Sequence, residues 1–354
     1  MNHRYTRQTT LKDFGVEGQQ KLGRTKVLVV GLGGLGVPVV QYLNAMGVGT
    51  LGLVEQDVIA LTNLQRQVLY TEQEVGMPKL EVVLKKLRAQ NTTTELIGYD
   101  AFLTKENALG IIKDFDIVVD ASDNFATRYL VNDACIILNK PFVYGALHDY
   151  EGQISVFNYQ NGPSYRCLFP KMPSANEIPN CNENGVLGVV PGIVGTLQAL
   201  EVVKIASEVG EVLSGKLLLF NGLNHAFHTI KFERQKVQCA ITALQSNYEE
   251  VLCSSEQHIS TEELQQRLST TAIQLIDVRT TAEFEDYHIP NSLHIPLDTI
   301  KQHTNKIDLT KDVYLICQSG KRSEIARRTL QEQYPETVFL SIFGGINQFL
   351  ATCS

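Results

Sequence analysis

The sequence predicts an α/β protein in two parts: a doubly wound, mostly parallel sheet, then a smaller α/β domain. Three observations carry this. The apolar run Val27-Leu28-Val29-Val30 ends in glycines and is followed by an apolar-periodic segment from Leu35 to Met46, which reads as strand, tight turn and helix. Strand-like runs and helical periodicity then alternate, as they do when helical crossovers join parallel strands. Periodicity fades between Glu233 and Gln257, and a second α/β pattern follows. A chain of 354 residues also exceeds the usual single-domain size.

In order, Thr50 to Val54 reads as the second strand and Ile117-Val118-Val119-Asp120 as a later one with a polar tip. Pro78 to Gln90 and Arg128 to Asn139 have helical periodicity. From Ile154 the pattern changes, with Ile154-Ser155-Val156-Phe157 and Lys216 to Phe220 as strands. Between them the Pro/Asn/Gly-rich stretch from Arg166 to Gly185 is long for a loop in a compact domain, which makes it a functional candidate. The expected organisation is a domain over 1–236, a linker over 237–256 and a second domain over 257–354. In that second domain Gln274 to Val278 and Val313 to Ile316 read as strands, and Ser323 to Tyr334 as a helix.

Apolar residues make up 44% and charged residues 19%, as in a globular protein with real cores, and the net charge of −7 argues against a nucleic-acid partner. The polar start, Met1 to Arg7, lacks the apolar core of a signal peptide. No run approaches the about 20 apolar residues of a membrane span; Val186 to Gly195 is short and interrupted by Pro191 and glycines. The seven cysteines are therefore read as free thiols in a reducing cytoplasm.

Gly31-Leu32-Gly33-Gly34-Leu35-Gly36 satisfies G-x-G-x-x-G between strand and helix. The glycines let backbone approach phosphate, and the helix start offers unpaired N–H groups. Glu55 ends the next strand, at the spacing of an acid that bonds ribose hydroxyls. This much would serve a nicotinamide-dinucleotide oxidoreductase equally well. The residues downstream discriminate: Asp57, Thr62 to Gln67, Met77-Pro78-Lys79 and Ser122-Asp123-Asn124 make a dispersed set of acids, amides and cations. A triphosphate calls for such a set, with cations at its outer oxygens and a carboxylate for Mg²⁺. Singly, Arg66 and Lys79 would read as solvated surface residues and Asp123 as a helix N-cap.

R-Y-x-R-Q at Arg4, G-L-G-G-L-G at Gly31, G-V-G at Gly47, N-L-Q-R-Q at Asn63, G-x-P-K at Gly76 and D-N at Asp123 occur in that order. Over about two-thirds of its length the chain resembles the adenylyltransferases that activate the molybdopterin-synthase and thiazole sulfur carriers, relatives of ubiquitin-activating enzymes. The resemblance implies a Rossmann-like ATP-binding domain. Within it Asp123 would hold Mg²⁺, Arg66 and Lys79 would bind phosphates with help from Asn63, Asp57 would belong to the same site, and Glu55 would hold the ribose. Glu55 stands where the family usually has Asp, one methylene shorter. Arg7 would be a finger inserted into a partner subunit's site, which implies a homodimer. The implied partner is a ubiquitin-like carrier ending in Gly-Gly. The stretch from Glu151 to Phe157 looks closest to the molybdopterin-synthase branch, with the thiazole branch, or service to both, as alternatives. A carrier-binding scaffold without turnover is a rival of a different class, disfavoured by the intact charged set.

Cys317 follows an apolar strand and opens Cys317-Gln318-Ser319-Gly320-Lys321-Arg322, with a helix after it. Backbone N–H groups, the helix N-terminus and two nearby cations favour a nucleophilic thiolate there. The loop is shorter than that of tyrosine phosphatases and resembles a rhodanese domain, whose cysteine carries a persulfide. Asp277-Val278-Arg279, His288-Ile289-Pro290 and Phe343-Gly344-Gly345 extend that resemblance over residues 257–354, with Asp277 and His288 read as structural. It implies a sulfur donor such as a cysteine desulfurase. Cys181, in Pro179-Asn180-Cys181, resembles the loop cysteine that in relatives bonds to, or resolves, the activated carrier. Relatives also hold a structural zinc with two C-x-x-C pairs; here those places read Ser164-Tyr165-Arg166-Cys167 and Lys236-Val237-Gln238-Cys239. With two of four thiolates missing, no stoichiometric zinc is expected.

Overall fold

The computed structural model describes residues 3–173, 185–246, 248, 258–270, 273–318 and 320–352. The chain divides into two compact units, Met1–Val251 and Leu252–Ser354.

The first unit is built on one eight-stranded sheet in the order β3-β2-β1-β4-β5-β6-β7-β8. Its strands are β1 (Lys26–Val30), β2 (Thr50–Val54), β3 (Glu95–Tyr99), β4 (Ile117–Asp120), β5 (Phe142–His148), β6 (Glu151–Phe157), β7 (Lys216–Asn221) and β8 (Ala226–Lys231). From β3 to β5 every pairing is parallel, and from β5 to β8 every pairing is antiparallel. Helices are α1 (Thr6–Thr9), α2 (Gly15–Leu22), α3 (Gly36–Met46), α4 (Lys79–Gln90), α5 (Ala108–Ile112), α6 (Phe125–Ile137), α7 (Tyr165–Leu168) and α8 (Val189–Ser207). The pleat explains the continuous apolar runs. Val27 and Val29 enter the core shared with α3 and α8, while Leu28 and Val30 enter the opposite core shared with α5 and α6. Strands covered on both faces need apolar residues at every position.

Two expectations are corrected here. Pro191 does not interrupt the apolar stretch, because it lies in the first turn of α8, where a proline's missing N–H is of no consequence. The resulting 19-residue helix is long and apolar enough, by composition alone, to cross a bilayer. It packs on α3, β5 and β6, and it buries Gln198, whose amide donates to the Asp120 and Val143 carbonyls. The stretch expected as a loop from Arg166 begins inside the short helix α7.

The segment expected as a linker over 237–256 is packed against the rest of the first unit where it is described. The 3-10 turn Val237–Cys239 meets α7, and Ser164 Oγ donates to the Gln238 carbonyl at 3.0 Å. Tyr248 is buried, and its hydroxyl donates to Asp133 Oδ2 at 2.8 Å. Asp133 also takes two hydrogen bonds from the Arg166 guanidinium, at 2.7 and 2.8 Å.

The second unit is a five-stranded, all-parallel sheet in the order β11-β10-β12-β13-β9. Its strands are β9 (His258–Ile259), β10 (Gln274–Asp277), β11 (Leu293–His294), β12 (Val313–Ile316) and β13 (Phe339–Ile342). Helices α9 (Thr261–Thr270), α10 (Thr281–Asp286), α11 (Lys321–Gln333) and α12 (Gly345–Thr352) complete it. Val313 and Leu315 enter one core, Tyr314 and Ile316 the other.

Tyr248→Phe removes one charge-assisted hydrogen bond from buried Asp133 and should destabilise the first unit by about 2 kcal/mol. Denaturant unfolding followed on that unit checks it. An unchanged midpoint would mean that Tyr248 contributes nothing to the unit's stability.

Candidate active sites

A cavity of about 520 Å³ opens where β1, β2 and β4 end. Its floor is the glycine turn. Gly31 has φ +94°, and a Cβ on it would lie 2.8 Å from the Ala121 carbonyl oxygen. A Cβ on Gly36 would lie 2.0 Å from the Gly31 carbonyl oxygen. Neither position admits a side chain, so the turn closes tightly and α3 begins at the cavity. Gly31, Gly33 and Gly34 line the cavity, whereas Gly36 serves the close packing beneath it.

Glu55 is buried, and its carboxylate is already engaged. Oε2 accepts the Leu32 N–H at 2.8 Å, and Oε1 accepts the N–H groups of Gln56 and Asp57, each at 2.9 Å. It lines the cavity and also ties the glycine turn to the end of β2, a task its spacing alone did not reveal. Lys79 Nζ sits 3.2 Å from Asp57 Oδ2; the lysine side chain is 6% exposed and the aspartate 57%. The ammonium is thus held at the cavity wall with one solvated carboxylate beside it. Arg66 also lines the cavity, its guanidinium donating to the Thr62 carbonyl at 3.1 Å.

Asn124, not Asp123, caps α6, accepting the Thr127 N–H at 2.8 Å. Asp123 is exposed at the cavity and, among the described residues, its carboxylate meets no hydrogen-bond or ion-pair partner. Such a free acid beside a phosphate cradle fits a Mg²⁺ ion, which takes one or two carboxylates and completes its shell with phosphate and water. Asn63 is not brought to the cavity. Its Oδ1 accepts the Ala60 N–H at 3.1 Å and closes a turn. Arg7 is exposed on α1 and is likewise absent from its own chain's cavity.

Two further side chains shape this cavity: Arg128, which the sequence reading missed, and Gln67, which it named only within the run Thr62 to Gln67. Arg128 is buried, with Nε 3.0 Å from Asp120 Oδ2 and an Nη2 bond of 3.2 Å to the Ser122 carbonyl. Its guanidinium lies 4.8 Å from the centre of the Tyr144 ring. It fixes the turn that presents Asp123, and its spacing four residues after Asn124 was the available signal. Gln67 is 3% exposed and lines the cavity, and its Oε1 has no hydrogen-bond partner within the protein. A bound donor would satisfy it.

In the second unit Cys317 follows β12 and is fully buried. Gly320, with φ +86°, stands at the start of α11. A Cβ on Gly345 would lie 2.2 Å from the Cys317 carbonyl oxygen, so the Phe343-Gly344-Gly345 turn packs on the loop's own backbone. Gln318 is held by Arg279 Nη1 at 3.0 Å, and Arg279 by Asp277, the structural role read for that acid. His288, too, is structural, its ring stacked on Phe284 with Nδ1 at 2.9 Å from the Phe284 carbonyl. Arg322, expected as a cation near Cys317, is paired. It makes a two-pronged ion pair with Glu283, at 2.7 and 2.5 Å, rather than standing as a free cation beside Cys317. That guanidinium, against the opposing effect of burial and with help from Thr280, holds the Glu283 carboxyl down to about 2. Ser319 and Cys181 lie outside the described residues.

The place compared with a zinc site brings Ser164, Cys167 and Cys239 together. Cys167 Sγ is 3.6 Å from Cys239 Sγ and 3.3 Å from Ser164 Oγ, while Lys236 is exposed. Burial raises the Cys167 thiol, but hydrogen bonds from Ser164, Gln235 and Cys239 draw it below its ordinary value. Among the described residues no three His, Cys, Asp or Glu side chains gather as a metal site would require.

The ThiF family pattern matches residues 5–241, which carry the glycine turn, Lys79 and Asp123. The chain belongs to the ThiF family. A rhodanese-like domain matches residues 260–352, so the resemblances drawn from the motifs hold for both units of this ThiF-family chain. The adenylyltransferase and sulfurtransferase MOCS3 of Xenopus laevis is 42% identical, over 97% of this chain and 85% of that protein. The protein of the same name from Caenorhabditis briggsae is 39% identical, over 98% of this chain and 93% of its own. Among solved structures, E. coli MccB with ATP superposes at a TM-score of 0.60 and 25% identity, covering 68% of this chain and 74% of that one.

Lys79→Met retains the bulk at the cavity wall and removes the ammonium. ATP–pyrophosphate exchange should fall by about 10²-fold or more, with the fold intact by circular dichroism. Exchange within a factor of about two of wild type would place the phosphates elsewhere.

Proposed function

We propose that this chain adenylylates the C-terminal glycine of a ubiquitin-like sulfur-carrier protein and then supplies sulfur to it from a persulfide on Cys317. One observation carries this reading. A tight glycine turn, the cations Arg66 and Lys79 and the unpartnered acid Asp123 line one cavity, in a chain that also folds a rhodanese-like loop around Cys317.

The carrier's carboxylate oxygen attacks the α-phosphorus of ATP, and pyrophosphate leaves. Lys79 and Arg66 stabilise charge on the departing phosphates, and α3 offers its N-terminal N–H groups to them. Asp123 would hold Mg²⁺, which neutralises phosphate charge when bound. Arg128 keeps the Asp123 turn in place, and Glu55 keeps the glycine turn closed and faces the nucleotide. The outer sulfur of the Cys317 persulfide then attacks the acyl carbon, and AMP leaves. A second thiol attacks the Cys317 sulfur, releasing the carrier thiocarboxylate and leaving a disulfide for reduction; Cys181 is assigned this step from its sequence context. A persulfide-bearing cysteine desulfurase would reload Cys317. The molybdopterin-synthase type of carrier is favoured by the stretch from Glu151 to Phe157 and by the names of the full-length relatives. The setting is the cytoplasm.

Arg7 is assigned to the cavity of a second subunit in a homodimer, since it is exposed and does not line its own. The test is ATP–pyrophosphate exchange with a panel of carriers ending in Gly-Gly. Exchange should need a carrier and be fastest with the molybdopterin-synthase type. Arg7→Ala and Lys79→Ala homodimers should each be nearly inactive. Mixed dimers then hold one site with both lesions and one with neither, and should recover up to about half of wild-type activity. Carrier-independent exchange would overturn the substrate assignment, and no recovery in confirmed mixed dimers would overturn the trans placement.

A further inference from the structure

We propose that Cys167 and Cys239 form a redox-responsive clasp, a dithiol that closes to a disulfide and fastens the end of the adenylylating unit to α7. The proposal is independent of which carrier is served. The two sulfurs lie 3.6 Å apart and come from positions 72 residues apart in the chain. They need only close to the about 2.0 Å of a disulfide, a change within reach of side-chain rotation. They stand on two short elements in contact, Cys167 on α7 and Cys239 on the 3-10 turn Val237–Cys239.

The surroundings hold the thiols together without a metal. Cys167 Sγ accepts the Gln235 N–H at 3.3 Å and the Ser164 N–H at 3.4 Å, and the Gln235 amide donates to the Cys167 carbonyl at 3.2 Å. Ser164 Oγ lies within hydrogen-bond reach of both the Gln238 carbonyl, at 3.0 Å, and Cys167 Sγ, at 3.3 Å. Lys236, an exposed cation, stands where a further thiolate would have to be. A closed zinc site lacks half its ligands here, whereas a disulfide lacks nothing.

Access is asymmetric. Cys167 is buried at 5% exposure and Cys239 is more open. The oxidant is a small-molecule disulfide such as oxidised glutathione. One cysteine thiolate attacks it, forming a mixed disulfide and releasing one glutathione thiolate. The other cysteine then attacks the protein sulfur of that mixed disulfide and releases the second. Two protein thiols are oxidised by two electrons, one disulfide is reduced, and the two thiol protons end on the two glutathiones. The closed clasp would pin the segment after β8 to α7, whose Tyr165 lines the nucleotide cavity together with nearby Phe169.

The full-length protein is equilibrated in glutathione buffers from fully reduced to fully oxidised, alkylated, and mapped by mass spectrometry without reduction. A peptide pair joined through Cys167 and Cys239 should appear as the oxidised fraction rises and vanish on reduction. Cys239→Ser should lose that pair, and in Cys167→Ser the more open Cys239 should instead carry glutathione. Closing so long a loop should also raise the melting temperature of the first unit by several degrees, about 5 °C, in wild type but not in Cys239→Ser. Separately alkylated or separately glutathionylated Cys167 and Cys239 in fully oxidised buffer would overturn the proposal. So would one zinc per chain in the isolated protein, lost together with Cys167→Ser and Cys239→Ser.

Discussion

The structure depends on how closely the chain can approach itself at the glycine turn. With a Cβ at Gly36 only 2.0 Å from the Gly31 carbonyl oxygen, any side chain there would force α3 away from β1. The turn would open, and the N–H groups that face the cavity would lose their aim. Glu55 completes the constraint from the next strand by accepting the Leu32 N–H. A second close approach lies above it, where a Cβ on Gly195 of α8 would stand 2.4 Å from the Leu35 carbonyl oxygen. The longest apolar helix is thereby pressed onto the start of α3, and the core and the phosphate cradle are set by the same contacts.

Charge is placed on this frame in two ways. Arg128 is buried and fully compensated by Asp120 and carbonyls, so it holds shape and leaves little field for a ligand. Lys79 is buried with one exposed carboxylate for company, so its charge remains available to an incoming phosphate. The second unit repeats the first pattern, since Glu283 engages Arg322 and Asp277 engages Arg279. Among the described side chains near its cysteine, Arg279 and Arg322 are both paired, and glycine contacts add to the loop's shape.

Much of this was legible from the residues because the signals are local. The β1 run, the glycines and the α3 periodicity lie within twenty residues, from Val27 to Met46. The Cys317 loop likewise announces itself between β12 and α11. What was not legible needs partners distant in sequence. Tyr248 is tied to Asp133 across 115 residues, and nothing in its polar neighbourhood marks it as buried. The engagement of Arg322 by Glu283 spans 39 residues. Asn63 could be assigned to phosphate from its place in a motif, but its side chain is taken by a turn three residues long. Strand β8 escaped notice because it is exposed along nearly its whole length and shows no alternation. The Pro191 misreading was one of position, since a proline ends a helix only beyond its first turn.

The central claim is that one chain makes an acyl-adenylate in its first unit and delivers sulfur from Cys317 in its second. The most direct measurement is intact mass spectrometry of a Gly-Gly carrier incubated with ATP, a persulfide donor and either wild-type protein or Cys317→Ala. Wild type should convert the carrier carboxylate to a thiocarboxylate, an exchange of one oxygen for sulfur. Cys317→Ala should keep ATP–pyrophosphate exchange and make no thiocarboxylate. Undiminished thiocarboxylate from Cys317→Ala, or loss of exchange in that variant with its fold preserved, would contradict the account.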